Sequence, residues 1–165
     1  MESLRVPEEE MKLHLGCGRK KWEGYVNCDL HDSDVDCDIR TLPFEDESAE
    51  EITAIHVVEH FFITEIVSVF REWQRVLKPG GRLIIELPCW DKVQGHIKAG
   101  SPENFTRWAL YGDPKTHRDG VPALHKWCWS KAEIATILIN IGFSIKEEEP
   151  QFHQPSRDMR FVATK

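Results

Sequence analysis

The strongest constraint on the fold is a strand, helix and strand in succession between residues 52 and 87. Residues 52–58 (ITAIHVV) are β-branched and almost uncharged, which is typical of a central strand covered on both faces. From Thr64, a suitable N-cap, apolar residues recur at the spacing of one helix face as far as Leu77, where the sequence Lys-Pro-Gly-Gly ends the helix. Residues 82–87 (RLIIEL) then form the next strand. Two strands joined by a helix are parallel, and the helix packs on their sheet.

The rest of the chain extends this pattern in both directions. A second helix is predicted from Ser130, whose spacing to Glu133 is that of a capping box, as far as Gly142. Further short strands are predicted at residues 11–15, 25–28, 35–39, 143–146 and 160–164. The sequence therefore predicts an α/β fold, a doubly wound and mostly parallel sheet with helices on both faces. At 165 residues, a single domain over 1–165 is expected.

Composition argues against several classes of protein. No run of about 18 apolar residues is present, so no membrane insertion is expected. The first residues, MESLRVPEEEMK, lack the order of a secretory signal, and five cysteines without a C-x-x-C pair are typical of reduced thiols, so the predicted location is cytoplasmic. With 21 Lys and Arg against 28 Asp and Glu, the net charge of −7 makes nucleic acid an unlikely partner. The oligomeric state is left open.

The first predicted strand ends in Gly16-Cys17-Gly18, and the next ends at Asp29. Glycines let the backbone turn sharply and approach a ligand closely. Since parallel sheets bind ligands at the carboxyl ends of their strands, an acidic side chain at Asp29 is placed to accept both hydroxyls of a ribose. Gly16 and Asp29 are only 13 positions apart, against about 20 where a full helix joins two such strands. The first helix is therefore expected to be reduced to a loop.

Five motifs in order resemble one enzyme family. They are LHLGCG (13–18), NCDL (27–30), DIRTLPFED (38–46), HVVEHF (56–61) and EWQRVLKPGGRLIIELP (72–88). Together they resemble the class I S-adenosylmethionine-dependent methyltransferases, and more narrowly a compact bacterial group often associated with cell-surface polysaccharide genes. The resemblance implies a Rossmann-like fold with S-adenosylmethionine as cofactor. Residues 11–88 would form the cofactor-binding half, and residues 129–165 the C-terminal helix and strands.

The resemblance also implies which residues meet the cofactor. Asp29 would bind the ribose hydroxyls, Asp38 would lie near the adenine amine, and His56 would line the pocket beside the sulfonium, with the methyl directed at Val58, Glu59 and His60. The cofactor-binding residues predicted in this way are Leu15, Gly16, Cys17, Gly18, Asp29, Leu30, Asp38, Ile39 and His56.

Methyl transfer depends mainly on orientation, because an in-line displacement needs the nucleophile aligned and held close to the methyl carbon. An oxygen nucleophile also needs a base. His60 and Glu59 are the nearest candidates by position, and they are the predicted catalytic residues.

Residues 89–128 interrupt the strand and helix pattern and are predicted to form a substrate lid. They carry six Lys or Arg against four Asp or Glu, a net charge of +2 in an acidic chain. We expect Trp90, His125 and Trp127 to contact a small-molecule substrate or glycan precursor, methylated at oxygen or nitrogen, and the charge favours an anionic or sugar-containing one. His117, His125 and Cys128 match no common zinc spacing, so no metal is expected.

Two alternatives remain open. A nucleic-acid or protein methyltransferase is one, although the N/D-P-P-Y/F tetrapeptide of amino-methylating nucleic-acid enzymes does not occur. The other, suggested by the short first connection, is a non-catalytic partner subunit that binds S-adenosylmethionine.

Overall fold

A computed structural model of the chain describes residues 10–115, 117–118 and 121–165. Its strands are β1 (Lys12–Leu15), β2 (Val26–Asp29), β3 (Val35–Asp36), β4 (Ala49–Ile55), β5 (Leu77–Pro88), β6 (His117–Arg118), β7 (Val121–Pro122), β8 (Ser144–Glu148) and β9 (Asp158–Thr164). Its α-helices are α1 (Ile66–Val76), α2 (Trp90–Lys98), α3 (Glu103–Tyr111) and α4 (Lys131–Asn140), with a single 3₁₀ turn at Val58–His60.

Seven strands form one sheet in the order β3-β2-β1-β4-β5-β9-β8. The first five are parallel, and β9 runs antiparallel between β5 and β8. The predicted α/β fold with a mostly parallel sheet is confirmed. Because β1, β2 and β4 run the same way, the residues that follow them meet at one edge of the sheet.

Strand β4 ends three residues before the predicted end at Val58. The chain turns at His56, which has a left-handed φ of 54°. This conformation is uncommon for a residue with a Cβ, and it breaks the strand. The following residues then form the 3₁₀ turn, which directs Glu59 inward and leaves His60 half-buried.

Both predicted helices form, within two residues of their predicted ends. The buried side of α1 consists of Ile66, Val69, Phe70, Trp73 and Val76. Helix α4 begins with the predicted capping box, in which the N–H of Glu133 donates to Ser130 Oγ (3.2 Å) and the N–H of Ser130 donates to Glu133 Oε2 (2.8 Å). Burial of the apolar faces supplies most of the stability of such short helices.

Residues 16–25, all of them described, form turns and no helix, as the short spacing predicts. Side-chain contacts, and not a helix, attach this segment to the sheet. The ring of Trp22 stacks on His14 of β1 at 4.0 Å, and the N–H of Trp22 donates to Asn27 Oδ1 of β2 at 2.7 Å. The reduced connection is therefore tied to both strands that it joins.

The predicted lid is more regular than its sequence indicates. It contains α2, α3 and the β6–β7 hairpin rather than one irregular loop. Each helix has only nine residues, and Gly95 interrupts the pattern of the first, so neither shows a clear periodicity in the sequence. Residues 116, 119 and 120 of the lid, and residues 1–9, lie outside the described residues, as does the side chain of His117. Along the described chain, no helix combines the length and the apolar character that crossing a bilayer requires.

Candidate active site

The glycine turn after β1 packs directly against the segment after β4. Gly16 and Gly18 both have left-handed φ angles, 67° and 56°. A Cβ on Gly16 would lie 2.5 Å from Val57 Cγ2, so only glycine fits there without displacing that side chain. The N–H groups of Gly16 and Cys17 donate to the carbonyl of Cys28, which holds the turn against β2.

Asp29, at the end of β2, is tied to the same turn. Its Oδ2 accepts a hydrogen bond from the N–H of Gly18 (2.8 Å), and its Oδ1 accepts one from the N–H of Leu30 (2.6 Å). The residue is buried and its carboxylate is fixed at the carboxyl edge of the sheet. The geometry thus brings Asp29 beside the glycine turn, where the sequence predicts the ribose.

The next turn adds Asp38 and Ile39. The N–H of Cys37 donates to the carbonyl of Asp29 at 2.7 Å, so this turn runs alongside the end of β2. Arg40 binds the Asp38 carboxylate through Nε and Nη2, and this pairing holds the pKa of Asp38 below its usual value. The Ile39 carbonyl accepts from Trp73 Nε1 (2.8 Å). Asp38 therefore already has a cationic partner, and an adenine amine would have to share the Asp38 carboxylate with Arg40.

His56 bridges two buried carboxylates. Its Nε2 lies 3.1 Å from Asp158 Oδ2, and its Nδ1 lies 2.9 Å from Glu59 Oε1. Burial alone would lower the pKa of His56, but the charges of Glu59 and Asp158 raise it to about 10. The imidazolium is thus held charged and fixed between the end of β4 and the start of β9.

Glu59 is fully buried, and its carboxylate stays ionised. Burial would raise its pKa, but the charge of His56 and its contact with the carboxylate lower the pKa to about 2. A carboxylate with so low a pKa is a weak proton acceptor. The surroundings of Glu59 fix its carboxylate beside His56, and the role of general base stays a prediction.

His60 and His125 lie against Glu59. His60 Nδ1 is 3.0 Å from the carbonyl of Leu124, and His125 Nδ1 is 2.9 Å from the carbonyl of Ala109. A carbonyl only accepts, so in the neutral rings Nδ1 carries the hydrogen and Nε2 keeps the lone pair. One ligand atom from each of Glu59, His60 and His125 lies within 4.8 Å of the others. We call these three residues the Glu59 cluster.

The C-terminal end of the lid and Trp129, the residue after it, are bonded to the 3₁₀ turn. Trp129 Nε1 donates to the Val58 carbonyl (3.2 Å), and the N–H groups of Lys126 and Trp127 donate to the Glu59 carbonyl (2.8 and 3.3 Å). The N–H of Trp90 donates to the Trp129 carbonyl at 2.8 Å. His125 and Trp127 thus lie beside the predicted catalytic pair, and Trp90 is connected to it through Trp129.

The described positive charges of the lid are partly used in internal contacts. Lys92 Nζ donates to the carbonyls of Pro155 and Asp158, Arg107 pairs with Glu103 at 3.0 Å, and Lys126 Nζ lies 4.5 Å from the centre of the Phe62 ring. Because these side chains already have partners, the net positive charge of the lid gives less support to an anionic substrate.

Sequence reasoning missed Asp158. This residue is fully buried, pairs with Arg157 at 2.8 Å and fixes His56 across 102 positions of the chain. It reaches the site because β9 returns between β5 and β8, so its first residue pairs with the end of β5. An acidic residue just before the last predicted strand was the only available signal.

Comparison with known proteins bears on what such a site does. Residues 17–85 match the sequence model of the methyltransferase domain family. The chain is 39% identical over 113 residues to a 37.1 kDa protein of transposon TN4556 from Streptomyces fradiae, covering 68% of this chain and 29% of that protein. It is also 35% identical over 63 residues to a probable human tRNA methyltransferase 9B, covering 38% of this chain and 14% of that protein. The chain thus spans less than a third of the length of either relative.

Solved structures share the fold. A SAM-dependent methyltransferase from Archaeoglobus fulgidus superimposes with a TM-score of 0.66 at 16% identity, over 94% of this chain and 86% of that one. The PH0226 protein of Pyrococcus horikoshii gives a TM-score of 0.63 at 22% identity, over 95% of this chain and 82% of that one. At these identities the likeness is one of fold.

Proposed function

We propose that the chain transfers the methyl group of S-adenosylmethionine to oxygen or nitrogen of a small molecule or glycan precursor. Residues 17–85 match the model of the methyltransferase domain family, and the fold resembles that of SAM-dependent methyltransferases, which supports the proposal. In that reaction a bond forms between the acceptor atom and the methyl carbon. The bond from carbon to sulfur breaks, and its electron pair stays on sulfur, so that S-adenosylhomocysteine leaves. An acceptor hydroxyl or amine also loses one proton.

The close approach of Gly16 to Val57 carries this proposal. A Cβ on Gly16 would be only 2.5 Å from Val57 Cγ2, so the cofactor turn and the residues that follow β4 share one surface. A cofactor lying on the glycine turn with its ribose at Asp29 therefore presents its sulfonium next to the segment that holds His56, Glu59 and His60. Orientation of this kind supplies much of the rate of a methyl transfer.

The roles of the predicted residues follow from this placement. We assign the ribose to Asp29, the backbone of the turn to Leu15, Gly16, Cys17 and Gly18, and the adenine end to Leu30, Asp38 and Ile39. His56, held by Asp158, is a positioning residue at the sulfonium end. His60 is the group best placed to receive the acceptor proton, because its Nε2 keeps a lone pair and the residue is only half-buried. Trp90, His125 and Trp127 would line the acceptor site.

Two measurements test the proposal. Isothermal titration calorimetry with S-adenosylmethionine and S-adenosylhomocysteine should show binding at one site per chain, and no binding at millimolar ligand would refute it. Release of S-adenosylhomocysteine should then rise above background when free and phosphorylated sugars are offered as acceptors.

The same assay separates the alternatives. One relative is named as a probable tRNA methyltransferase, so transfer to tRNA alone would replace the small-molecule acceptor by a nucleic acid. Binding of S-adenosylmethionine without transfer to sugars, amines, tRNA or protein would instead favour the non-catalytic partner subunit.

A further inference from the structure

We propose that the Glu59 cluster binds a divalent transition-metal ion, through the carboxylate of Glu59 and one ring nitrogen each of His60 and His125. The first observation is that the Glu59 carboxylate is fully buried, and neither of its oxygens has a hydrogen-bond donor among the described residues. His56 Nδ1 approaches Oε1 to 2.9 Å as an ionic contact, without the alignment of a hydrogen bond. His56 balances the charge of Glu59 on one side, but a buried carboxylate oxygen without a donor, such as Oε2, remains costly.

The second observation concerns what faces Glu59 on its other side. His125 Nε2 lies 3.8 Å from Glu59 Oε1, and the Nδ1 of this ring is bonded to the carbonyl of Ala109. In the neutral ring Nδ1 carries the hydrogen, so Nε2 presents a lone pair to the carboxylate. Two acceptors that face each other in a buried site are explained by a cation between them.

The third observation is the support behind the two rings. His60 and His125 each bond a backbone carbonyl through Nδ1, at 3.0 and 2.9 Å. Histidines that bind metals almost always donate their other N–H in this way, which fixes the tautomer and the direction of the ligand nitrogen. The two carbonyl partners, Leu124 and Ala109, both belong to the lid. The lid thus orients both candidate ligand rings.

The donor set indicates the class of ion. Two imidazole nitrogens and one carboxylate oxygen suit Zn²⁺, Mn²⁺, Co²⁺ or Fe²⁺, whereas Mg²⁺ prefers oxygen ligands. The three ligand atoms lie within 4.8 Å of one another, and four-coordinate Zn²⁺ brings such atoms to about 3.4 Å, so only small side-chain rotations are needed. Three protein ligands leave at least one coordination position for another molecule.

What the ion would do rests on the proposed function. An acceptor oxygen bound at the open position would lose its proton to water more readily, because a bound divalent ion lowers the pKa of a coordinated hydroxyl. The ion would then replace His60 as the source of the activated nucleophile. It would also favour acceptors with an oxygen donor, such as a diol or a carboxylated sugar, over simple amines.

The first test is a titration of the chelator-treated protein with Zn²⁺ and, separately, with Co²⁺. We expect one ion per chain by calorimetry, and visible absorption bands for the Co²⁺ form. His60→Gln and His125→Gln should each weaken Zn²⁺ binding at least tenfold. The control is His96→Gln, a lid histidine bonded to Ser101 Oγ and the Ser156 carbonyl, which should bind Zn²⁺ like the unmodified protein.

Absence of stoichiometric binding, or equal affinity in all three variants, would overturn the metal site. Circular dichroism melting of each variant shows whether a lost site reflects a lost fold. The Zn²⁺ titration is independent of cofactor binding, because S-adenosylmethionine is titrated separately into the metal-free protein. Zn²⁺ binding without cofactor binding would support the metal site and refute the methyltransferase proposal. Cofactor binding without Zn²⁺ binding would refute the metal site and leave the methyltransferase proposal intact.

Discussion

The backbone N–H of Gly18 donates a 2.8 Å hydrogen bond to the carboxylate of Asp29. The bond joins the turn after β1 to the end of β2 across a connection that has lost its helix. Asp29 therefore fixes the shape of the turn on which the proposed cofactor would lie. The proposed ribose contact is formed by a side chain that the fold has already oriented.

Asp29→Ala should weaken S-adenosylmethionine binding about tenfold or more, because hydrogen bonds to a charged group are worth about 1.5–3 kcal/mol. Calorimetry measures the change, and Glu23→Ala, an exposed acid in the same connection, is the control and should bind normally. Unchanged affinity in the Asp29 variant would remove this residue from the site.

The two glycines of the turn should respond differently to alanine. At Gly16 the new Cβ meets both a left-handed φ and Val57 at 2.5 Å, whereas at Gly18 it meets the φ alone, with no atom within 4 Å. We expect Gly16→Ala to lower the free energy of unfolding by about 2–4 kcal/mol and Gly18→Ala by about 1–2 kcal/mol. Urea denaturation followed by tryptophan fluorescence compares them. A Gly18 variant as unstable as the Gly16 variant would show that the contact with Val57 is easily relieved.

Trp73→Phe should destabilise the protein although it keeps a large aromatic ring. The substitution removes the Nε1 hydrogen that binds the Ile39 carbonyl at 2.8 Å, and leaving that carbonyl unpaired against the buried ring at position 73 costs about 1–3 kcal/mol. Trp127→Phe serves as the comparison, since Trp127 is 38% exposed and its loss should change stability by about 0.5 kcal/mol or less. Equal denaturation midpoints for the two variants would mean that the Ile39 carbonyl finds another donor.

Acid should weaken the contact between Glu72 and Arg75 on α1. The hydrogen bonds from Arg75 lower the pKa of Glu72 below its usual value, so the stabilising charge is fully present at neutral pH and is lost as the pH falls through the lowered pKa. Glu72→Gln should therefore melt below the unmodified protein at pH 7, and the gap should close below about pH 4. Calorimetric melting temperatures between pH 7 and pH 3 test this, and a constant gap would contradict it.

The sequence predicts the sheet and two helices well because their signals are local. The face of α1 follows from apolar spacing, and the start of α4 follows from Ser130 and Glu133 alone. The short connection before Asp29 is likewise visible as a count of residues. Each of these features depends on neighbours within a dozen positions.

The site is harder to predict because its members come from distant parts of the chain. Glu59 meets His125 through the lid, whose two short helices carry weak periodicity, and His56 meets Asp158 through the antiparallel return of β9. The left-handed φ of His56, which ends β4 early and turns Glu59 inward, has no signature in the residue types around it.

Four hydrogen bonds join residues 58–60 to residues 124–129. Three come from N–H groups of Lys126, Trp127 and Trp129, and one comes from the ring of His60. At about 0.5–1.5 kcal/mol each, lifting this part of the lid would cost several kcal/mol and would undo the support of His60 at the same time. Residues 124–129 therefore form a fixed side of the site and do not open for the exchange of ligands. Under the proposed function, the acceptor would reach the site from another side, and its exchange should leave the geometry around Glu59 intact.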